Sequence, residues 1–115
     1  MLEQIKAEEQ GAVTIIRLRG QFIGGDETDG LREEFKKLAQ DPDKKLVAVD
    51  LESVTYLNST ALGVFISAHA NFSKRGGRIA LCNISKNIEN IFVITKLTLV
   101  FDICATVDDA VKQFS

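Results

Sequence analysis

The sequence predicts one α/β domain over residues 1–115, in which about four helices pack on a mixed, mainly parallel sheet of four to five strands. Strand-like apolar stretches alternate with stretches of helical periodicity after an opening hairpin, and this order is typical of a parallel sheet. Residues 45–51 are apolar without alternation, as expected for a strand covered on both faces. The length of 115 residues and the hydrophobic fraction of 45% suit one globular domain.

The first half of the chain predicts two strands and one surface helix. An edge strand is expected over 2–8, a turn over 8–11 and a second strand over 12–19, where β-forming residues predominate. A loop with several glycines follows, and 26–40 predicts a helix because its apolar residues share one face. Pro42 ends that helix, since proline cannot continue it.

The second half predicts three strands and three helices in alternation. Gly76 and Gly77 end the long central helix, and the apolar residues between 86 and 96 fit a helix better than a strand. Thr106 begins the last helix in a capping-box arrangement. The predicted strands cover residues 45–51, 78–83 and 99–103, and the predicted helices cover 59–74, 86–96 and 106–114.

Composition argues against several classes of function. The formal net charge of -2 offers no polybasic surface for a nucleic acid. One histidine and two separated cysteines make no metal site, and no phosphate-binding loop is present, so neither metal nor cofactor is expected. The N-terminus lacks the apolar core of a signal peptide, and no apolar stretch is long enough to cross a bilayer. These features predict a cytoplasmic protein with reduced cysteines and no direct membrane insertion.

Three small polar residues, Asn58, Ser59 and Thr60, lie where a strand is expected to end and the central helix to begin. The first turn of a helix has free backbone N–H groups and a positive dipole end, so it tolerates negative charge. A phosphate on Ser59 would leave the fold intact while adding nearly two negative charges to the surface. We therefore expect Ser59 to be a phosphorylation switch on a protein-binding helix. The alternative is that all three residues serve only to start the helix.

The central helix carries more apolar residues than a helix on a sheet normally needs. From Ala61 onward they fill an arc wider than half of the helix circumference. Neighbouring helices would cover the surplus, and a partner protein needs only the edge of the arc. His69 lies in this arc and is interpreted as a core or interface residue, although a Ser59–His69–Asp50 triad is formally available. Asp50 is expected to accept hydrogen bonds from backbone N–H groups in the loop before the helix.

Residues 50–63 resemble the central motif of a known family. They read D-L-E-S-V-T-Y-L-N-S-T-A-L-G, which is similar to the D-L-x-x-V-x-[FY]-[ILM]-D-S-[ST]-G-L-G of STAS domains, in particular the small stand-alone anti-sigma-factor antagonists of bacteria. Gly20, the stretch 76–81, and the tail 97–103 followed by Ala110 match the family in the expected order. The resemblance covers nearly the whole chain and implies a STAS-like fold.

The resemblance also implies a partner-switching mechanism. In the family, the serine of D-S-[ST] is phosphorylated by a partner that is both anti-sigma factor and serine kinase; that serine aligns with Ser59, and Thr60 is the second candidate. The unphosphorylated domain binds the kinase and frees the sigma factor, the phosphorylated form lets go, and a phosphatase resets it. The domain itself is then not an enzyme, and a monomer or weak dimer is expected. The expected partner-binding residues are Asn58, Ser59, Thr60, Leu62, Gly63, Ile66, Gly24 and Asp26.

The chain departs from the family pattern near the switch. Asn58 stands where the family has aspartate, and Ala61 where it has glycine. Loss of the carboxylate would alter kinase recognition or remove phosphorylation, although asparagine still caps a helix. In the first loop Ile23 stands where an acidic residue is common, and Asp26 is the nearest acid. A second hypothesis is therefore a non-phosphorylated STAS accessory subunit of a membrane transport complex, such as a lipid-transport ABC system. A third, a small serine hydrolase, is disfavoured because no nucleophile elbow flanks the serine.

Overall fold

The computed structural model describes residues 4–114 and contains, within them, one five-stranded sheet and four α-helices. The strands are β1 (Ile5–Gln10), β2 (Val13–Phe22), β3 (Leu46–Leu57), β4 (Arg78–Cys82) and β5 (Asp102–Cys104). The helices are α1 (Asp26–Ala39), α2 (Ser59–Ser73), α3 (Lys86–Ile94) and α4 (Val107–Phe114), and a 3-10 helix covers Leu97–Leu99.

The strands follow one another across the sheet in the order β1-β2-β3-β4-β5. β1 is antiparallel to β2, whereas each of the other neighbouring pairs is parallel. A helix connects the two strands of every parallel pair, because a parallel connection must return the chain to the starting end of the sheet. This topology confirms the predicted mixed, mainly parallel sheet with four helices.

Helices pack on both faces of the sheet. Val47 and Val49 of β3 belong to the larger core cluster, which also contains buried residues of α1, α2 and α3. Ala48, between them, belongs to a second cluster with Val107 and Ala110 of α4. Successive side chains of a strand point to opposite faces, so a strand covered on both faces is apolar at every position. This arrangement explains the unbroken apolar run that identified β3 in the sequence.

The middle of α2 is held by an aromatic cluster. The ring centroid of Phe65 lies 5.8 Å from that of Phe35 in α1, 6.0 Å from that of Phe92 in α3 and 6.3 Å from that of Phe101. All three pairs have the edge-to-face geometry that aromatic rings prefer. The wide apolar arc of α2 is thus mostly covered by its neighbours, while Ile66 at the edge of the arc remains 47% exposed.

β2 and β3 are both longer than the sequence pattern predicts. β2 continues past Gly20 to Phe22, and β3 continues through the stretch predicted as a polar loop to Leu57. The two extensions pair with each other, with Gly20 opposite Val54 and Phe22 opposite Leu57. The predicted loop between 51 and 58 is therefore wrong, because pairing with β2 satisfies its backbone groups and every third side chain is buried.

Other boundaries shift by a few residues. The first turn lies after Gln10 and uses Gly11 with a φ of 61°, so the turn predicted over 8–11 begins too early. Residues 2 and 3 of the predicted edge strand lie outside the described part of the chain. The last strand begins at Asp102, because residues 97–99 form the 3-10 helix instead. Leu97 and Phe101 are both buried at this point, and their burial favours a compact turn over an extended strand.

No helix within residues 4–114 has the length and apolar character that crossing a membrane would require.

Candidate functional site

The start of α2 is fixed by Asn58. The Asn58 side-chain oxygen accepts a hydrogen bond of 3.1 Å from the backbone N–H of Ala61, so Asn58 is the N-cap residue that the sequence indicates. Its own N–H donates to the carbonyl oxygen of Phe22 at 3.1 Å, and its carbonyl oxygen accepts from Leu62 N–H at 3.0 Å. The bond to Phe22 attaches the start of α2 to the end of β2, and the other two bonds fix the first turn of α2.

Ser59 and Thr60 are both exposed in the first turn of α2. That turn contains no acidic side chain, so a phosphate there would meet free backbone N–H groups and the positive end of the helix. Thr60 faces the loop that follows β2: a Cβ placed on Gly24 would lie 3.5 Å from the Thr60 Cβ and Cγ2 atoms. The structure thus brings Gly24 against the helix start.

The loop between β2 and α1 is organised by Glu27. Its carboxylate accepts hydrogen bonds from the N–H groups of Ile23 at 2.9 Å and Gly25 at 3.0 Å, and from the Thr28 hydroxyl at 2.5 Å. The Thr28 hydroxyl accepts in turn from Gly24 N–H at 2.9 Å. The Thr28 bond, with the backbone N–H donors, lowers the pKa of Glu27 from 4.5 to about 2. Gly24 has a φ of 89°, which only glycine adopts readily.

Exposed apolar side chains lie on the elements that meet at this helix start. Ile23 follows β2 and is 47% exposed, Tyr56 near the end of β3 is 49% exposed, and Ile66 of α2 is 47% exposed. Of these three exposed residues, only Ile66 is among the contacts that the sequence predicts. The exposure of Tyr56 follows from the continued pairing of β2 with β3, in which Tyr56 lies opposite Gln21 and the next residue, Leu57, is buried.

The remaining predicted contact residues differ in their exposure. Gly63 is exposed on α2, and Asp26 is exposed in the first turn of α1. Leu62 is only 8% exposed and belongs to the core cluster, so it offers little surface to a partner. Leu62 therefore acts in this structure as a packing residue beneath the exposed face.

A groove of about 510 Å³ runs between α1 and α2 and begins at Thr60. Phe35, Val64 and Ala68 contribute its apolar part. The α1 side carries Arg32 and Lys36, but Arg32 forms an ion pair of 2.6 Å with Asp29 and Lys36 lies 3.9 Å from Glu33. The groove is consequently close to neutral.

Asp50 joins β3 to β2 and to the residue that follows β4. Its carboxylate accepts hydrogen bonds from the Arg17 guanidinium at 2.6 Å, the Asn83 amide at 3.0 Å and the Glu52 N–H at 3.1 Å. Burial raises the pKa of Asp50, but the hydrogen bonds from Asn83, Glu52 and Arg17 outweigh it and hold the pKa below the ordinary value. The expected backbone bond is thus present, but within a continuing strand and not in a loop.

The structure does not assemble a Ser59–His69–Asp50 triad. His69 Nε2 lies 3.4 Å from the Ser73 hydroxyl, and the His69 ring packs 5.4 Å from the ring of Phe101. His69 lies ten residues after Ser59 on α2, which corresponds to about 15 Å along the helix axis. His69 is therefore a half-buried packing residue, as interpreted from the sequence.

The described residues also show no cluster of three or more His, Cys, Asp or Glu side chains placed to hold a metal ion. Cys82 and Cys104 are free and buried. Burial raises the pKa of the Cys82 thiol to about 12, so Cys82 is a packing residue with little thiolate character.

Comparison with known proteins places these features in a family. Residues 4–110 match the family described as STAS domain. The anti-sigma-B factor antagonist of Bacillus subtilis (strain 168) is 36% identical over 83 residues, which cover 71% of this chain and 73% of that protein.

Solved structures share the fold at low sequence identity. An anti-sigma factor antagonist from Mycobacterium paratuberculosis superposes with a TM-score of 0.82 at 19% identity, covering 95% of this chain and 91% of that one. The Bacillus cell fate determinant SpoIIAA, in its phosphorylated form, superposes with a TM-score of 0.78 at 17% identity and covers 96% of this chain and 99% of its own. With its family match, its antagonist relatives and its five-stranded sheet, this chain belongs to the STAS domain family.

Proposed function

We propose that this protein is a partner-switching regulator that binds an anti-sigma factor with serine kinase activity and so releases a sigma factor. Phosphorylation of Ser59 ends that binding, and a phosphatase restores it. The observation that carries the proposal is the position of Ser59, exposed in the first turn of a capped helix on which exposed Ile66 also lies. The curated relative in Bacillus subtilis is named an anti-sigma-B factor antagonist, which supports the same class of partner.

The binding surface is formed by the first two turns of α2 together with the adjoining loop. Ser59, Thr60, Gly63 and Ile66 supply the helix side, and Gly24 lies against Thr60 from the loop after β2. Ile23 and Tyr56 extend this surface with exposed apolar groups. Apolar groups of this kind provide the affinity of a protein interface when a partner covers them.

A phosphate on Ser59 changes the surface and leaves the fold in place. The free N–H groups and dipole of α2 stabilise the added negative charge, so α2 stays formed. A partner that had covered the neutral helix start would have to desolvate nearly two negative charges. The switch therefore works on affinity, and the ATP chemistry belongs to the partner and not to this domain.

Ser59 is the preferred phosphate acceptor over Thr60. Thr60 lies against Gly24, and its side chain lines the groove between α1 and α2, whereas Ser59 does not line that groove. A kinase active site needs the acceptor hydroxyl free of neighbouring loops. Phosphorylation by the captured kinase, located by mass spectrometry, should be lost in Ser59→Ala and retained in Thr60→Ala; the reverse pattern would identify Thr60 as the acceptor.

A paired pull-down tests the proposed function. Wild type and Ser59→Ala should capture an ATP-binding serine kinase from the source lysate, and Ser59→Asp should capture at least tenfold less. Ser53→Asp is the matched control, because Ser53 is also exposed and the charge change is the same, but it lies on β3. Equal capture of one set of proteins by Ser59→Asp and wild type would contradict the switch.

Asn58 stands where the family motif has aspartate, and this difference favours a second candidate function that does not need phosphorylation. The same pull-down tests it. A STAS accessory subunit of a membrane transport complex would use α2 without phosphorylation. Capture of transport subunits by all four baits, with no phosphate on Ser59 in the cell, would establish that function instead.

A further inference from the structure

A second exposed apolar surface lies at the edge of the sheet where β5 is found. The exposed large apolar side chains within residues 4–114 are concentrated in one stretch of the chain, 93–103. Ile94 and Leu99 are the most exposed of them, at 80% and 83%. This surface, called here the 93–103 surface, consists of Val93, Ile94, Leu99, Val100 and Ile103. Exposed apolar side chains concentrated in this way indicate an association site on a folded protein.

The 93–103 surface is held rigidly from below. Phe92, Leu97 and Phe101 alternate with the exposed residues and are buried, and Phe92 and Phe101 lie 6.1 Å apart in the aromatic cluster. The Thr95 hydroxyl donates to the carbonyl oxygen of Ile91 at 2.8 Å, and Lys96 adopts a φ of 62° to begin the 3-10 helix. The exposed side chains therefore need little ordering on association, which lowers its entropic cost.

The surface faces the same side of the sheet as α3. Ile103 lies opposite Leu81 in the parallel pairing of β4 and β5, and Leu81 belongs to the core cluster beneath α1, α2 and α3. Asp102 and Cys104 point to the other face, with Cys104 in the cluster under α4. The apolar side chains of α3, of the 3-10 helix and of β5 thus belong to one face at one edge.

The charges around this surface suit a second copy of the same chain. Glu89 lies one helical turn before Val93, and Lys96 follows Val93 by three residues. Both side chains are exposed, and neither forms an ion pair within the described residues. In a two-fold contact each copy presents the same surface to the other. In an antiparallel crossing of two α3 helices at Val93, Glu89 of each copy lies towards the C-terminal end of the other α3, which Lys96 follows.

We infer that the protein forms a symmetric homodimer through the 93–103 surface, with α3 of each copy against α3 of the second. The patch is small, so the dimer is weak and forms at high protein concentration. A lipid surface is a poorer occupant, because the patch carries a single cation, Lys96, and the chain has a net charge of -2. Phe101, beneath this surface, packs on Phe65 and His69 of α2 and not on the residues of its first turn, so the proposed contact does not include Ser59.

Sedimentation velocity over a range of protein concentrations tests the inference. The wild-type protein should show concentration-dependent dimerisation, and Leu99→Ser and Ile94→Ser should raise the dimer dissociation constant at least tenfold. Ile66→Ser is the matched control, since it removes an exposed isoleucine from α2, and it should dimerise as wild type does. All three positions are on the surface, so circular dichroism should show folded protein in every case.

Charge reversal separates this geometry from general stickiness. Glu89→Lys and Lys96→Glu should each weaken the dimer several-fold, because each places like charges opposite one another, and the double variant should restore it. A wild-type protein that stays monomeric at all concentrations overturns the inference, as does a dimer that survives Leu99→Ser. Sedimentation contains no kinase, so its outcome is independent of the proposed function. If the wild-type protein is monomeric and Leu99→Ser fails to capture the kinase in the pull-down, the 93–103 surface binds the kinase and the inference is overturned.

Discussion

Asn58 stabilises the start of α2 whether or not Ser59 is phosphorylated. It caps α2 through Ala61 N–H and receives no help from an acidic side chain in the first turn. Asn58→Ala should lower the free energy of unfolding by about 1 kcal/mol, because one orphan donor of the helix loses its acceptor. Urea denaturation followed by circular dichroism measures it. Asn58→Asp is the control and should keep the stability, since aspartate caps equally well; an equal loss in both variants would contradict the capping role.

Glu27 makes the β2–α1 loop sensitive to acid. Its pKa is lowered from 4.5 to about 2, so the folded state prefers the carboxylate more strongly than the unfolded chain does. The resulting stabilisation is fully present above pH 4.5 and is lost as the pH falls toward 2. Glu27→Gln should therefore flatten the dependence of unfolding free energy on pH between these values.

The control for that experiment is Glu33→Gln on the exposed side of α1. Glu33 makes only a 3.9 Å contact with Lys36, so this variant changes the charge by the same amount without removing a contact of the β2–α1 loop. Thermal unfolding of wild type and both variants at a series of pH values measures how the stability of each depends on pH. A Glu27→Gln profile parallel to the wild-type profile would show that the loop contacts do not contribute to stability.

At the scale of whole elements, Phe65 of α2 connects the helices above the sheet. It is fully buried and contacts Phe35, Phe92 and Phe101. Phe65→Ala should cost about 3–5 kcal/mol of stability, since it leaves a cavity where three rings meet. Its neighbour Ile66 is exposed, and Ile66→Ala should change stability by less than about 0.5 kcal/mol. Chemical denaturation of the pair would reveal any error in the assigned helix face, because the two costs would then be similar.

Arg75 attaches the end of α2 to the connection between α1 and β3. Its guanidinium donates to the carbonyl oxygens of Leu38 and Asp41, each at 2.9 Å, and to that of Lys44. It also lies 4.7 Å from the centre of the Phe72 ring. Arg75→Lys should destabilise the protein by about 1.5–3 kcal/mol, because an ammonium group lacks the planar fork of donors with which the guanidinium reaches all three carbonyl groups.

Lys74→Ala provides the comparison for Arg75. Lys74 is adjacent in the chain and exposed, so the loss of its charge should have little effect on the urea midpoint. Retention of wild-type stability in Arg75→Lys would mean that charge alone, and not the planar arrangement of donors, holds the two elements together.

At the scale of the whole molecule, the two core clusters share the central strands of the sheet. Cys82 and Cys104 lie opposite one another on β4 and β5 in the cluster under α4. Because that cluster and the larger one lie on opposite faces of the same strands, they should unfold together. Labelling of both thiols by a thiol-specific reagent should then follow the loss of far-UV circular dichroism with urea at the same midpoint. Labelling at lower urea concentrations would show that the α4 face opens by itself.

Features that depend on neighbouring residues can be predicted from this sequence, whereas those that depend on distant segments cannot. Asn58 was identified as the helix start from its type and position, and the structure confirms it as the N-cap. The continuation of β3 to Leu57 was missed, because its strand pairing depends on β2, more than thirty residues away in the chain. The burial of Leu62 and the exposure of Tyr56 likewise depend on neighbours that no local pattern names.

By itself the sequence determined the order of strands and helices, the capping of α2 and the family resemblance, since periodicity and capping are properties of residues a few positions apart. Only the tertiary structure decided that β2 and β3 stay paired as far as Phe22 and Leu57, next to the start of α2, and that Gly24 lies against Thr60. It also decided which apolar residues between 93 and 103 reach solvent, namely Val93, Ile94, Leu99, Val100 and Ile103, while Leu97 and Phe101 are buried. The physical reason is that pairing and burial are contacts between distant segments, and their outcome depends on how whole elements pack.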